Sequence, residues 1–239
     1  MKKTIRSKRE GFKNSTVFSL ENGNLDHLEQ AATINFRYEL VRKSIHLFSL
    51  SIPIIYYFIS KQTALFLLLP VATAFIAVDL GRFYIPAVSA WFYRWFGWLL
   101  RRHEQNEKVK RLNGASNVLI SAILSVVLFP KIIAINAFTI LIISDTTSAL
   151  FGRRFGRHRF FAKSLEGSAA FLISALIVVL IAPKIQNLFL EYCIGSIGAL
   201  VGTFVEALTI HIDDNLSIPI SISLVMWALY AWLLPTLPL

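Results

Sequence analysis

The chain has 239 residues, of which 55% are hydrophobic and 16% charged. Apolar runs recur along most of the length after residue 44, which excludes a water-soluble globular domain and predicts an all-α polytopic membrane protein. A net charge of +10 would suggest nucleic acid in a soluble protein. Here the basic residues sit between apolar runs, where topology, anionic headgroups or a phosphate substrate account for them, so no nucleic-acid partner is expected.

Residues 1–35 read as a polar, basic cytoplasmic arm carrying Lys2, Lys3, Arg6, Lys8, Arg9 and Lys13. No apolar core of a signal peptide follows closely, so a cleaved leader is not expected. Residues 36–239 read as one membrane-embedded domain. About seven spans are predicted, near 45–60, 63–80, 115–130, 132–151, 168–183, 188–210 and 216–235. The third is short for a bilayer. The stretch from Trp91 to Leu100, aromatic and broken by Arg94, reads as an interfacial helix. Cys193 is the single cysteine, lies in an apolar run and is expected to be a buried small side chain.

Lys and Arg divide 21 to 3 between alternate connections. That bias predicts a cytoplasmic N-terminus and an external C-terminus. The three on the outer side are Lys61, Lys131 and Lys184. The short chain suits a bacterial inner membrane.

With that topology, the unusual polar residues collect on the basic side. Glu39, Arg42, Lys43 and His46 enter the first span at helical spacing. Asp79 ends the second. Glu104, Asn113 and Ser116 lead into the third. Asp145 lies about two turns from the end of the fourth, Glu206 near the end of the sixth, and Asp213, Asp214 and Asn215 follow. An ionisable side chain at membrane depth is costly unless paired or hydrated, so Asp145 and Glu206 are functional candidates. His103, His158 and His211 lack zinc-ligand spacing and read as solvated.

The run from Ser144 to Ser168 is the richest. Asp145 is followed by Gly152 and Gly156 among Arg153, Arg154, Arg157, His158 and Arg159, then by Lys163, Ser164, Glu166 and Gly167. A basic cytoplasmic loop explains the cations but not the acid on their membrane side. Carboxylates that hold Mg²⁺ and cations that neutralise phosphate oxygens together suit phosphoryl or nucleotidyl transfer. No Walker A, Rossmann or protein-kinase motif is present, so a nucleotide would need a membrane-embedded site of another kind.

Four stretches resemble the CTP-dependent polyprenol and lipid-alcohol kinases, the group of dolichol kinase, phytol kinase and CTP-dependent diacylglycerol kinase. More distantly they resemble phosphatidate cytidylyltransferases. They are ELVRKSIH at 39–46, LLRRHEQNEKVKRLNGAS at 99–116, DTTSALFGRRFGRHRFFAKSLEGS at 145–168 and EALTIHIDDNLSIPI at 206–220. Ser144 stands where the family usually has Gly, and Ser116 where it often has Thr; neither change removes a charge. The resemblance implies Mg²⁺-dependent transfer of the CTP γ-phosphoryl to the hydroxyl of a membrane lipid alcohol such as a polyprenol, a phytol-like isoprenoid or diacylglycerol. It implies catalytic roles for Asp145, Lys163, Glu206 and Asp214, with Asp145 and Asp214 linked to metal. It implies nucleotide or phosphate contacts from Arg42, Lys43, His46, Arg153, Arg157, Ser164, Glu166, Gly167 and Asn215. The competing expectations are a CTP:phosphatidate cytidylyltransferase and a transporter of an anionic substrate.

Overall fold

The computed structural model describes residues 40–97, 111–208 and 212–238. Glu39, His103, Glu104 and His211, and the expected boundary at 35/36, lie outside the described residues. Arg42–Leu239 forms one compact unit.

Residues 42–48 are helical (α1). The chain turns at 49–50 and resumes as α2, Ser51–Phe58. Pro53 carries no N–H to give to the carbonyl of residue 49, so the break falls where that helical bond cannot form. The expected first span is therefore two helical pieces.

The helices α3 (Lys61–Tyr84) and α4 (Pro86–Phe96) follow, with Pro86 opening α4. Next come α5 (Gly114–Leu128) and α6 (Lys131–Phe155). A hairpin, Arg159–Phe160 (β1) paired with Lys163–Ser164 (β2), precedes α7 (Leu165–Ile181). Then α8 (Phe189–Ala207) and α9 (Asp214–Leu233) complete the described fold. The fold is all-α apart from that hairpin. Four helices, α3, α6, α8 and α9, are long and apolar enough to cross a membrane, while α5 and α7 are shorter and apolar.

The centre of the bundle is α6. Of its apolar window 72% is buried, against 17% for α3, so α6 is the core and α3 the periphery. Ile133, Ala137, Ile140, Leu141 and Ile142 of α6 are wholly buried and pack with Phe171 and Val178 of α7, Ile194 and Ala199 of α8, and Ile218, Ile222 and Met226 of α9. Small residues let the helices approach: a Cβ on Gly202 would lie 2.6 Å from Ile222 Cδ1, so α8 and α9 meet through that notch.

Lys61, Lys131 and Lys184, expected on the outer side, all sit at one end and cap helix carbonyls. Lys61 Nζ donates to Val127 O at the close of α5 (2.8 Å) and Lys131 Nζ to Ile59 O after α2 (2.9 Å). Lys184 Nζ donates to Val179 O and Ala182 O at the close of α7 (both 2.6 Å). Asn136, near the start of α6, donates to Pro183 O at 3.0 Å, tying the α7–α8 connection to the same end. There Glu191, wholly buried, accepts from the amides of Ile185, Gln186 and Leu188 and from Tyr230 Oη. Cys193 is half-buried rather than fully enclosed. Asp145 stands fourteen residues further along α6 than Lys131, about 21 Å away at helical rise, so the charged residues described next occupy the opposite end.

Candidate functional site

Asp145 sits in α6, ten residues before its end at Phe155. That is nearly three turns rather than the expected two, because the helix runs on through Gly152 and Arg153. The Asp145 side chain is 10% exposed. Lys43 of α1, itself 2% exposed, donates to Asp145 Oδ2 at 2.5 Å and to Asp145 O at 3.1 Å. His46 Nε2 lies 3.6 Å from the same Oδ2. Lys43 and His46 are three apart, which puts both on the face of α1 that meets α6. An ion pair this deeply buried is held against a large desolvation cost, and loss of either partner would leave a bare charge.

The next turn of α6 carries the link to α8. Ser148, three residues after Asp145 and on the same face, donates to Glu206 Oε1 at 2.8 Å. Ser168 of α7 approaches Glu206 Oε2 at 3.4 Å. Lys163 Nζ lies 3.4 Å from Glu206 Oε1 and 3.1 Å from Asp214 Oδ2. Glu206 is 1% exposed, so these contacts are what make its position tolerable. Burial alone would lower the Lys163 pKa, but the carboxylates of Asp214, Glu206 and Asp145 outweigh it and hold the ammonium above its ordinary value.

Lys163 reaches this place because of the hairpin. Phe160 pairs with Lys163 and Arg159 with Ser164, and Phe161 takes the left-handed turn position at φ 50. Ala162 N donates to Ala207 O at 3.1 Å, pinning the hairpin tip to the end of α8. Ser164 caps α7 by accepting from Gly167 N at 3.1 Å. A Cβ on Gly156 would fall 2.2 Å from Gly152 O and 2.8 Å from Ser164 Oγ, so only glycine lets the chain leave α6 and fold back. Ser164 and Gly167 thus shape the loop. Arg153, in the last turn of α6, and Arg157, in the loop, are exposed. His158, 75% exposed, pairs with Glu166 Oε1 at 2.8 Å.

Asp213 caps α9, accepting from Asn215 N (3.0 Å) and Asn215 Nδ2 (2.8 Å). That places Asp214 in the first turn, beside Lys163, and turns Asn215 inward. A Cβ on Gly114 would lie 3.7 Å from Asn215 Nδ2, so α5 begins against this asparagine.

A cavity of about 550 Å³ adjoins Asp145. Arg42, Lys43, His46, Asp145, Asn113 and Asn215 form its polar end, and Phe75, Val78, Trp91, Phe92, Phe96 and Val118 line the rest. Lys163, Glu206 and Asp214 do not line it. Asp145 is therefore the acid shared by the cavity and, through Ser148, the Lys163 cluster.

Sequence reasoning missed three contributors. Ser148 and Ser168 anchor Glu206; their signal was the helical spacing Asp145–Ser148 and the polar end of the run closing at Ser168. The third is a buried clip. Arg82, counted as a loop cation, is a helix residue whose Nε meets Asp79 Oδ1 at 2.8 Å. Asp79 Oδ2 accepts from Asn113 N at 2.7 Å, and Arg82 Nη2 donates to Arg111 O at 2.8 Å. The clip fixes the segment where Asn113 caps α5 by accepting from Ser116 N at 2.9 Å. Asp79 does not end its helix; α3 continues to Tyr84.

Among the described residues, no group of three or more His, Cys, Asp or Glu could hold a metal ion by itself. Mg²⁺ is usually held by one or two carboxylates together with substrate phosphates. Asp214, with 23% of its side chain exposed, and Asp145 are donors of that kind, so the residues fit an ion that arrives on a triphosphate.

Fold and site together define an all-α membrane protein with a cluster of paired, buried charges at one end of its bundle. The chain is 30% identical over 191 residues, 79% of its own length and 93% of the relative's, to a Rickettsia prowazekii (strain Madrid E) protein named "Uncharacterized protein RP860". It belongs to the family of that protein. It is also 28% identical over 158 residues, 59% of its length and 70% of the relative's, to CTP-dependent diacylglycerol kinase 1 of Schizosaccharomyces pombe (strain 972). No protein-family model matches the chain, and no solved structure does.

Proposed function

We propose that this protein is a CTP-dependent lipid kinase, moving the γ-phosphoryl of CTP to the hydroxyl of a membrane-dissolved alcohol. One observation carries the proposal: Asp145 lines an apolar cavity and acts electrostatically on Lys163, the lysine paired with Glu206 and Asp214. An acceptor hydroxyl and a triphosphate can meet there. The distant similarity to a CTP-dependent diacylglycerol kinase supports the choice of donor and acceptor class.

In the proposed reaction the acceptor oxygen attacks Pγ and a new P–O bond forms. The bond from Pγ to the β,γ-bridging oxygen breaks, and CDP leaves with the electron pair. The hydroxyl proton passes to Asp145, the carboxylate that lines the cavity. Lys163, with Arg153 at the end of α6 and Arg157 just after it, neutralises phosphate oxygens. Lys163 is held cationic by its acids, so it needs no proton from the reaction. Mg²⁺, when bound, would offset the charge on the transferred group; Asp214 is the better placed of the two expected acids to hold it. Glu206, with both oxygens engaged, orients Lys163. Lys43 and His46 fix the carboxylate of Asp145, and Arg42 and Asn215 border the acceptor.

The charged end faces the cytoplasm in this proposal, because Arg42, Lys43, Arg153, Arg154, Arg157 and Lys163 lie there and the three capped lysines at the other end. Counting α1–α2 as one crossing, with α4 at the interface, gives seven spans. The test is CTP labelled in the α or the γ position, offered with diacylglycerol, a polyprenol and phytol. Transfer of the γ label alone supports the kinase. Transfer of the α label makes the protein a cytidylyltransferase, and no transfer to any lipid refutes the proposal.

A further inference from the structure

The proposed reaction leaves open how an oily acceptor reaches a buried carboxylate, and the cavity beside Asp145 has the form of a route. At its polar end the reacting groups are buried: Lys43 and Asp145 are 2% and 7% exposed. Its other end is open and apolar. Phe75 and Val78 of α3 and Trp91 and Phe96 of α4 all line it, and all are exposed large hydrophobics. The mouth lies along α3, the least buried of the four long helices. On a helix long enough to cross a bilayer, exposed apolar side chains face hydrocarbon. A cavity of about 550 Å³ is of the size that takes a small organic ligand.

Resting on the kinase reading, we infer that this cavity is the acceptor site and that it fills sideways from the membrane. A long-chain alcohol enters hydroxyl first between α3 and α4. Its hydroxyl stops at Asp145, its proximal chain lies against Phe75, Val78, Trp91 and Phe96, and the remainder stays in lipid. A water-soluble alcohol gains nothing from such a mouth. The nucleotide uses the Lys163 side, which does not line the cavity, so the two substrates have separate openings. The Asp79–Arg82 clip, which anchors the start of α5, is a positioning element for the same wall.

The experiment uses the full chain in lipid nanodiscs and two probes, a diazirine-bearing diacylglycerol and a diazirine-bearing prenyl alcohol. Label is expected on the peptides holding Phe75–Val78 and Trp91–Phe96, competed by unlabelled lipid alcohol and not by glycerol. Val78→Trp fills the mouth, and should cut that label and raise the acceptor KM about tenfold while the CTP KM stays within about twofold. Leu69→Trp, on the same helix at an exposed position outside the cavity, should behave as the parent protein. If Val78→Trp does not fold, Ala115→Leu, which intrudes from α5, reads the same effect. Label spread evenly over exposed positions of α3, or an acceptor KM unmoved by both variants, overturns the inference. Competed label at the mouth without transfer from γ-labelled CTP keeps the lipid site and refutes the kinase.

Discussion

Lys43→Met isolates the electrostatics of the site. Lys43 and Asp145 are 2% and 7% exposed, and the lysine bonds to both Oδ2 and the backbone carbonyl of Asp145. Removing the cation leaves a buried carboxylate facing His46, at 3.6 Å, and the more distant Lys163. Breaking such a pair by losing one partner costs about 3–5 kcal/mol. For a chain of this size each kcal/mol lowers Tm by about 2–4 °C, so the variant should melt roughly 6–20 °C below the parent. The double variant Lys43→Met with Asp145→Asn removes both charges and should recover most of that loss, a coupling at the upper end of the roughly 0.5–3 kcal/mol found for residues in contact. Melting of all four proteins in one detergent closes the cycle. A Lys43→Met protein melting within about 2 °C of the parent would mean the pair is solvated, and the reasoning about a buried site would fail.

Ser148→Ala should cost about 1–2 kcal/mol, because buried Glu206 loses a donor at 2.8 Å; activity should fall while the CTP label stays on lipid as γ-phosphate. Gly156→Ala should loosen the hairpin, since its Cβ would meet Gly152 O at 2.2 Å, and faster hydrogen exchange over 157–164 would report it. The Lys163 pKa is raised by Asp214, Glu206 and Asp145 against the effect of burial. Its ion pairs are therefore at full strength below the ordinary lysine value of about 10.5 and are lost only as pH rises through the raised value. Hairpin exchange protection should thus persist to about pH 10.5 and be lost only above it, while in Lys163→Met that loss should vanish.

The acids and Lys163 were legible because an ionisable residue in or beside an apolar run is expensive and rarely idle. Their grouping was legible as one-sidedness, from the 21 to 3 charge bias. Partners were harder. Ser148 and Ser168 look like ordinary helix serines until α8 brings Glu206 to them. Asp79 and Arg82 are three apart and could have been paired on spacing, but ending the span at residue 80 put Arg82 in a loop. The hairpin was hidden because Phe161, not Gly or Asn, occupies its left-handed position, leaving no turn signal. The break between α1 and α2 was available in Pro53 and was masked by an unbroken apolar pattern.

In the proposed reaction separate segments of the chain converge on Asp145 to transfer a phosphoryl group. The most direct test is transfer of label from γ-labelled CTP to lipid by Asp145→Asn combined with Lys43→Met, which removes both charges of the buried ion pair together. Incorporation should fall at least about a hundredfold, at a Tm close to the parent's, since a positioned proton acceptor contributes about 10²–10⁴. Incorporation at the parental rate would contradict it.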